Sequence, residues 1–347
     1  MARILYGVGG QGMGHATRSA TIIKELGKEH ELVIVSGGRA FAYLSEKFPN
    51  VKKVHVLHHS QKNDRILSPE TFASNLVSIP RYYRSFQRVS SIIRSFKPEM
   101  VLCDLELFTA LAAKKSHLPL LSIDNQHILT KTRLGIHQQA SGLALKFLIR
   151  SMAPRATDYI ITTFFLPKRK ALNVHLVPPI VRESIIRAKC SIGKHVLVYQ
   201  TSKTHTTLLE ELQKIDEQFI VYGYDRIGRQ KNLIFRKFNE KQFFRDLASC
   251  KAIVTNGGLS LIGEAVYLKK PVFSMPIRDD FEQYVNAYHI QKKGYGLSRP
   301  VFTRRAFLHF MSRLDSYKAA LREHRQDGNR LLLEKLRAWI TLYAGDA

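Results

Sequence analysis

The amino-acid sequence predicts an α/β protein built from two doubly wound parallel sheets. Three observations predict this class. Short apolar runs of strand length alternate with helical segments along the chain, and the series starts again near residue 194. Glycine-rich turns follow an early strand of the first series and a late strand of the second. Because a strand–helix–strand connection is a right-handed parallel crossover, the alternation implies a parallel sheet in each half.

Length and composition fit a globular protein of about two domains. The 347 residues are 45% hydrophobic and 24% charged, which is typical of folded chains. Cys103, Cys190 and Cys250 are widely spaced and predict neither a disulfide framework nor a zinc site. We find no apolar run of about 18 residues and no signal-peptide pattern, so we expect a cytoplasmic protein without a membrane span.

The strongest compositional signal is positive charge. Lys and Arg number 54 against 28 Asp and Glu, which gives a formal net charge of +26. Such an excess favours a polyanionic partner, because self-repulsion destabilises the compact state. Candidates are nucleic acid, an anionic membrane surface and an acidic substrate. The sequence lacks a helix-turn-helix, zinc-finger or stacking-strand signature, so we expect no specific nucleic acid, although a basic nucleic-acid-binding protein stays an alternative.

The elements of the first half follow from apolar runs and the residues that flank them. The predicted strands are RILYGV, ELVIVSGG, VKKVHVLHH, PEMVLCDLE and LPLLSIDN. A helix from about Ala16 to Gly27 follows the first strand. The predicted helices after the third and fourth strands are RYYRSFQRVSSIIRSF, with an apolar stripe at helical spacing, and FTALAAKKSH. The polar segment 60–80 is a predicted loop.

The second half repeats the pattern after the proline-marked stretch NVHLVPPIVRES. A helix is predicted through LLEELQKI, and the predicted strands are HVLVYQTS, FIVYGY, CKAIVTNGG and KPVFSMP. Residues Phe307 to Tyr343 are predicted to be helical. The predicted organisation is an N-terminal domain over 1–176, a linker over 177–193, a second domain over 194–325, and a C-terminal helix over 326–347 that could return to the first domain.

Two glycine-rich loops are candidate phosphate sites. The first, GVGGQGMGHATRS, superficially matches a dinucleotide turn. An NAD site also needs an acidic residue at the end of the second strand, where this chain has Ser36, and the Walker lysine is absent. A tight turn without a ligand stays an alternative. The second loop, TNGGLSLIGEA, would present the amides of Leu259 and Ser260 at a helix N-terminus, which favours phosphate, while Glu264 could accept two ribose hydroxyls.

These residues carry a resemblance to a known family. The run from Ala248 to Gly296, which includes TNGGLSLIGEA, KPVFSMPI, FEQYVNAYHIQ and KGYG, resembles the donor-site signature of inverting nucleotide-sugar glycosyltransferases with the GT-B fold. It is most similar to a bacterial and archaeal subgroup described as related to teichoic acid synthesis, and more distantly to the lipid-linked N-acetylglucosaminyltransferase of peptidoglycan synthesis. GVGGQGMGHATRS, LSIDNQH and VLVYQTS match the subgroup as well. The resemblance implies two Rossmann-like domains with an interdomain cleft.

The resemblance also implies a donor site, mainly in the second domain. The expected co-substrate is a nucleotide-sugar with UDP as the nucleotide, and we expect no cofactor and no metal. The glycines of TNGG and Ser260 would contact the diphosphate, Glu264 the ribose and Phe238 the base, while Glu282 and Gln283 would face the donor sugar. The expected donor-binding residues are Gly10, Gly12, Gly14, Thr201, Ser202, Phe238, Asn256, Gly257, Gly258, Leu259, Ser260, Glu264, Glu282 and Gln283.

The first glycine loop faces the cleft in the resembling fold, which makes His15 the candidate general base. Inversion by a single displacement needs a group that takes the proton of the acceptor hydroxyl, and a neutral histidine suits that task. A hydrogen bond to the donor diphosphate is the alternative role of His15. Asp104 could orient the imidazole, and a helix N-cap is an alternative of equal weight for it. The acceptor-side candidates at strand ends are Arg39, Asn125 and His127.

The resulting hypothesis is an inverting, metal-independent transfer of a sugar to a hydroxyl of a lipid-linked or anionic cell-envelope acceptor. The charge would hold the protein on the inner face of the cell membrane, because each basic residue near an anionic leaflet contributes about 1 kcal/mol. Segments such as LALKFLIRSMAPR mix basic and apolar residues, as an interfacial surface or a buried amphipathic helix would. A nucleotide-sugar epimerase of the same fold stays an alternative, and it would convert the donor without an acceptor.

Overall fold

Two compact units make up the protein. Unit 1 contains residues 1–180 and 329–347, and unit 2 contains residues 181–328. The chain therefore leaves unit 1 inside the segment that the sequence marks as a linker. The computed structural model describes residues 1–56, 78–136, 140–152, 156–200 and 207–344.

Unit 1 is built on a parallel sheet. Its strands are β1 (Arg3–Val8), β2 (Glu31–Ser36), β3 (Val51–Lys53), β4 (Met100–Asp104), β5 (Leu120–Asp124), β6 (Thr132–Arg133), β7 (Asp158–Thr162), β8 (Lys168–Arg169) and β9 (Val174–Val177). The sheet order is β3-β2-β1-β4-β5-β7-β9 with parallel neighbours, while β6 and β8 form a separate antiparallel pair. The order reverses between β1 and β4, where Val8 pairs with Asp104. Doubly wound sheets bind their ligands at such a switch point.

Strands β1, β2, β4, β5 and β7 are buried, mainly apolar runs, and the connecting segments are mostly helical. Ile4, Tyr6 and Leu102 are fully buried in its core. The helices of this part are α1 (Met13–Leu26), α2 (Gly38–Ser45), α3 (Ile79–Phe96), α4 (Leu107–Lys115), α5 (Ile128–Lys131) and α6 (Ala140–Met152).

Unit 2 repeats the architecture. Its strands are β10 (His195–Tyr199), β11 (Gln218–Tyr222), β12 (Gly228–Gln230), β13 (Leu233–Phe235), β14 (Ala252–Thr255), β15 (Val272–Ser274) and β16 (Gly296–Ser298). The order is β12-β13-β11-β10-β14-β15-β16, parallel except for β12 against β13, and it reverses between β10 and β14. Its helices are α7 (Glu183–Ile186), α8 (Leu208–Gln213), α9 (Glu240–Ser249), α10 (Leu259–Tyr267), α11 (Phe281–Lys292), α12 (Arg304–Ser312) and α13 (Leu314–Glu323). The predicted α/β class with two doubly wound sheets is confirmed.

The last helix, α14 (Arg330–Ala344), packs on unit 1. Leu336 and Trp339 lie in the same core as β1 and β4, and Trp339 Nε1 donates a hydrogen bond of 3.0 Å to Asp158. The stretch from Phe307 to Tyr343 is mostly helical, as predicted, and it contains parts of α12, α13 and α14. Residues 324–329 separate α13 from α14, and Gly328 has φ +69°, a left-handed conformation that a continuing helix cannot contain.

Helix α1 begins earlier than predicted, at Met13 rather than at Ala16. Gly12 is its N-cap residue, with an extended backbone at φ −97° and ψ 131°. Glycine is a poor helix former, so the sequence predicted that the loop includes Gly14 and that the helix starts after it. His15 therefore lies in the first turn of a helix, and the helix backbone limits the directions its side chain can take.

Candidate functional site

A fully buried carboxylate lies at the switch point of unit 1. Asp104 ends β4, and its side chain is 0% exposed. His15 extends from the first turn of α1, and its Nδ1 lies 2.8 Å from Asp104 Oδ1. The imidazole is 17% exposed. The structure thus brings together the two residues that the sequence analysis chose as base and orienting group.

The alternative role of Asp104 as a helix N-cap is wrong. Glu106 caps α4, and its carboxylate accepts hydrogen bonds of 3.2 Å from the Phe108 amide and 2.7 Å from the Thr109 amide. Leu105, between the two acidic residues, has φ +49° and turns the chain after the strand. Asp104 and Glu106 therefore do not alternate along one strand, and Asp104 is left to interact with α1.

Arg18 is the main residue of this site that the sequence analysis missed. Its Nε donates to Asp104 Oδ2 over 2.6 Å, its Nη2 contacts Asp104 Oδ1, and its Nη1 contacts Asn125 Oδ1. Burial alone would raise the pKa of Asp104, but the charges and hydrogen bonds of Arg18 and His15 hold that pKa well below its usual range. Asp104 is therefore ionised at neutral pH and can only accept hydrogen bonds.

The acceptor-side candidates occupy different environments. Asn125 is 3% exposed and belongs to the Arg18 network, whereas Arg39 is exposed on α2. His127 is 1% exposed, and its Nδ1 lies 2.6 Å from Asp124 Oδ2, so a second histidine–aspartate pair is buried inside unit 1. Burial alone would raise the pKa of Asp124, but the interactions with His127 outweigh burial, so the pKa is lowered. His127 is thus better placed to hold the loop after β5 than to contact an acceptor directly.

The first glycine loop is shaped largely by packing. A Cβ on Gly10 would lie 2.5 Å from Val56 Cγ2 and 2.7 Å from the Gly37 carbonyl oxygen, so only glycine fits there. Gly12 occupies the N-cap position of α1, and Gly14 lies in the first turn. No side chain accepts a hydrogen bond from the first amides of the helix. The first amides of α1 are therefore the groups of this loop that could meet an anion.

The second glycine loop follows β14, at the switch point of unit 2. A Cβ on Gly257 would lie 2.5 Å from Gln283 Cβ, so glycine is needed there for packing. A Cβ on Gly258 would meet no atom within 4 Å. Gly258 is the N-cap of α10, whose first residues are Leu259 and Ser260, and no side chain caps that helix. The backbone at Gly258 therefore faces open space at a positively polarised helix N-terminus.

Two candidate residues of this loop region have structural partners. Asn256 is buried, and its Nδ2 donates to the Met275 carbonyl oxygen over 3.2 Å. Gln283 accepts hydrogen bonds from the amides of Gly257 and Ile277 through the same Oε1, at 2.9 Å and 3.1 Å. Any contact of the Gln283 side chain with a ligand would therefore use its NH₂ group as a donor.

The remaining candidates lie around this loop or outside the described residues. Glu282 is half-buried in the first turn of α11. Phe238 is 52% exposed and contacts the rings of Tyr199, at the end of β10, and Phe243. Thr201 and Ser202 lie outside the described residues. Within the described ranges, no three His, Cys, Asp or Glu side chains form a metal-binding group.

Glu264 has a protein partner for both of its carboxylate oxygens. Arg182 donates to them over 2.6 Å and 2.7 Å, and Glu264 is only 2% exposed. The same guanidinium donates to Glu240 over 3.2 Å and lies 4.2 Å from the Phe244 ring centre. Sequence analysis missed Arg182, which is 82 positions from Glu264. A ribose hydroxyl would have to share these oxygens with the guanidinium, since each oxygen has two lone pairs.

Known proteins are similar to this chain in sequence or in architecture. A protein of Methanosarcina acetivorans described as an uncharacterized glycosyltransferase is 22% identical over an alignment of 333 positions, and the match covers 85% of this chain and 84% of that protein. Phytolacca americana UGT2, solved in complex with UDP-2-fluoro-glucose and pterostilbene, matches with a TM-score of 0.68 and 14% identity over 97% of this chain and 99% of its own. Acinetobacter baumannii MurG matches with a TM-score of 0.64 and 13% identity over 97% and 100%.

These structural matches identify the two parallel-sheet units as a GT-B fold. The sequence profile described as glycosyl transferase family 1 matches residues 2–315, which is most of the chain. The protein therefore belongs to glycosyl transferase family 1.

Proposed function

We propose that the protein is an inverting, metal-independent glycosyltransferase that moves a sugar from a UDP-sugar to a hydroxyl of a lipid-linked or anionic cell-envelope acceptor. The observation that carries the donor half of this proposal is the backbone at Gly258. A glycine that packing does not require, at an uncapped helix N-terminus on a switch point, suits a ligand that approaches the main chain closely. The helix dipole favours a diphosphate there.

The choice of UDP is supported by a structural neighbour and by the residues around the loop. Phytolacca americana UGT2 has the same fold and was solved with UDP-2-fluoro-glucose. In this chain the Ser260 hydroxyl and the Gln283 NH₂ group provide hydrogen-bond donors beside the loop. Glu264 offers acceptor oxygens four residues after Ser260 on α10. Together, Ser260 and Gln283 provide hydrogen-bond donors for phosphate and sugar oxygens, and Glu264 provides an acceptor for ribose hydroxyls.

The chemistry proposed for His15 is general base catalysis. The acceptor oxygen forms a bond to the anomeric carbon while the bond from that carbon to the diphosphate breaks, and UDP leaves with the electron pair. His15 Nε2 takes the hydroxyl proton. Asp104, kept ionised by Arg18, stabilises the imidazolium that forms. A single displacement of this kind inverts the anomeric configuration.

UDP is expected to raise the thermal unfolding temperature of the wild type. At about 100 times its dissociation constant it should stabilise the protein by about 2.7 kcal/mol. Gly258→Leu should lose this shift while costing at most about 1 kcal/mol of stability, because the side chain enters open space but covers the helix amides. Glu264→Ala should also lose the shift. Because this variant removes a partner of Arg182 and so lowers the unfolding temperature without ligand, its shift is measured from its own unfolding temperature. The measurement is differential scanning fluorimetry.

The controls separate this proposal from its alternatives. Gly257→Ala should lower the unfolding temperature without ligand, because the new Cβ meets Gln283 at 2.5 Å. NAD and single-stranded DNA should give no shift at two salt concentrations. A UDP shift that Gly258→Leu retains would contradict the assigned site. A salt-sensitive shift with DNA and none with UDP would favour the nucleic-acid alternative.

A cluster of basic residues on unit 1 supports an anionic acceptor or membrane. We name as the basic surface Lys131, Arg133, Lys146, Arg150 and Lys170. Burial and then the charge of neighbouring members lower the pKa of Lys146 and of Lys170, because nearby positive charges disfavour the protonated form. An anion bound there would relieve the repulsion.

Large apolar side chains are exposed within the segments that carry the basic surface. On α6, Leu143 and Phe147 are 60% and 75% exposed, and Leu166 and Leu172, on either side of β8, are 83% and 89% exposed. Basic and exposed apolar side chains together are typical of proteins that lie on anionic bilayers. No helix in the described ranges is long and apolar enough to cross a bilayer. The exposed apolar side chains beside the basic surface lead us to propose peripheral attachment to the inner face of the cell membrane.

Removing two charges of the basic surface should weaken binding to anionic vesicles. Lys146→Gln/Lys170→Gln is expected to lose about 2 kcal/mol, or about 30-fold in affinity for phosphatidylglycerol-containing vesicles in co-sedimentation. The control Lys292→Gln/Lys293→Gln changes the net charge equally on exposed positions of unit 2. An equal loss in both variants would mean that net charge alone drives binding and would contradict the surface.

A further inference from the structure

Both ring nitrogens of His15 have polar neighbours in unit 1. Nδ1 lies 2.8 Å from Asp104 Oδ1, and Nε2 lies 3.5 Å from the amide nitrogen of Gln126. Arg18, three residues after His15 on α1, contacts both of these neighbours. Its Nη2 contacts Asp104 Oδ1 and lies 3.3 Å from Gln126 Oε1. The guanidinium therefore links the groups at the two edges of the imidazole.

We infer that Arg18 is a positioning residue that, by holding Asp104 and Gln126, selects the tautomer of His15 with the proton on Nδ1 and the lone pair on Nε2. The catalytic meaning of this tautomer rests on the proposed function, since a base needs the lone pair on Nε2, and an acceptor hydroxyl would replace Gln126 as the donor to it. The tautomer itself is a property of unit 1 and does not depend on any substrate.

The chemistry of the two neighbours agrees on one tautomer. Asp104 is ionised and has no hydrogen to donate, so a hydrogen bond with Nδ1 requires the hydrogen on the imidazole. Arg18 can only donate, so the side-chain carbonyl oxygen of Gln126 faces Arg18. The NH₂ group of Gln126 then faces His15. An NH₂ group can only donate, so Nε2 must accept.

A rival arrangement is present in the same geometry. Arg18 Nη2 also lies 2.8 Å from His15 Nδ1, and a hydrogen bond along that line would require a bare Nδ1 and a proton on Nε2. Nη2 has two hydrogens, and Asp104 Oδ1 and Gln126 Oε1 account for both. Only one of the two arrangements satisfies Asp104, Gln126 and Arg18 together, and it is the one with the proton on Nδ1.

The network is rigid enough to enforce this choice. Arg18 is 7% exposed and is also held by Asn125, and Asp104 accepts a further hydrogen bond of 3.2 Å from Ser19. Ser19 in turn accepts from the Tyr6 hydroxyl over 3.1 Å. Rotating the guanidinium would leave a buried carboxylate without its main partner, which is strongly destabilising.

Nitrogen-15 NMR of histidine-labelled full-length protein tests the inference directly. Spectra at about pH 8.5, roughly two units above the ordinary histidine pKa, separate protonated from bare ring nitrogens. His15 signals are identified by their loss in His15→Gln. We expect Nδ1 protonated and Nε2 bare in the wild type. A wild-type signal with the proton on Nε2 would overturn the inference.

Two variants test the role of Arg18 itself. Arg18→Lys keeps the charge but cannot hold Asp104 and Gln126 at once, so a fraction of the Nε2-protonated form should appear. Gln126→Leu should produce the same change with the Arg18 and Asp104 pair intact. Arg337→Lys, on an exposed pair with Glu29, is the matched control and should leave the His15 signal unchanged. A wild-type pattern in folded Arg18→Lys would contradict the positioning role.

Kinetics then separate this inference from the proposed function. In Arg18→Lys, kcat should fall in proportion to the lost fraction of the Nδ1-protonated tautomer, while KM for the UDP-sugar stays unchanged. The NMR result needs neither donor nor acceptor. A protein with the expected tautomer and no transferase activity would contradict only the proposed function, whereas an active protein with the other tautomer would contradict only this inference.

Discussion

Replacing His15 by alanine is expected to slow sugar transfer by about 10²–10⁴-fold while leaving UDP binding nearly unchanged. The variant removes the proton acceptor, but Asp104 keeps its hydrogen bonds to Arg18 and Ser19. The helix amides and the second glycine loop are untouched. The measurement is transfer of radiolabelled sugar from UDP-glucose or UDP-N-acetylglucosamine to a total membrane lipid extract, with UDP binding followed by thermal shift.

His309→Ala is the matched control, since His309 is exposed on α12 and takes no part in the site. It should transfer sugar at the wild-type rate. Full turnover by His15→Ala would remove His15 from the mechanism. Loss of UDP binding together with transfer would instead support the role of His15 as a ligand of the diphosphate. Conversion of the UDP-sugar without any acceptor would favour the epimerase alternative.

The fold could be predicted because it depends on local signals. Buried strands such as RILYGV and AIVT are continuous apolar runs, and each is followed by glycines that a tight strand-to-helix turn favours. The signals fail at element ends. Helix α1 includes Gly14 although glycine is a poor helix former, and the break between α13 and α14 depends on the left-handed backbone of Gly328.

The site could be predicted only in part, because its charged pairs are distant in sequence. His15 was proposed from the resemblance of the first glycine loop to a known family, and Asp104 from its position at the end of β4. Arg18 bonds to a partner 86 positions away, and nothing in local spacing distinguishes it among 54 basic residues. The same holds for Arg182. Each arginine pairs with a buried carboxylate, because a buried charge requires a partner of opposite charge. Which carboxylates are buried is known only from the folded structure.

The two units have similar arrangements at their switch points. In each sheet the strand order reverses beside a glycine loop that opens an uncapped helix. In each unit an arginine holds a buried carboxylate: Arg18 on α1 holds Asp104 at the end of β4, and Arg182 holds Glu264 on α10. Arg18 keeps Asp104 charged although burial alone would raise the pKa of that carboxyl, and Arg182 donates to both carboxylate oxygens of Glu264. This shared arrangement makes the arginines, rather than the acids, the residues whose loss should cost most stability.

Arg182→Met is expected to destabilise the protein by about 3–5 kcal/mol. The variant leaves Glu264, which is 2% exposed, without the guanidinium that donates to both of its oxygens. We expect the lower end of that range because the Arg182 side chain is itself 18% exposed. Urea denaturation followed by circular dichroism measures the free energy of unfolding. Arg187→Met, in a neighbouring pair that is 78% and 42% exposed, should cost less than about 1 kcal/mol.

A double variant distinguishes the lost charge partner from lost packing. Arg182→Met/Glu264→Met removes both charges and keeps apolar contact with Phe244, so it should recover most of the stability that Arg182→Met loses. If the double variant is as unstable as the single one, Arg182 acts through packing on Phe244 and not through Glu264. Glu264 has two roles here, as the partner of Arg182 and as the proposed ligand of ribose. Recovered stability without a UDP shift would separate them, because the double variant restores the fold and still lacks the carboxylate proposed to bind ribose.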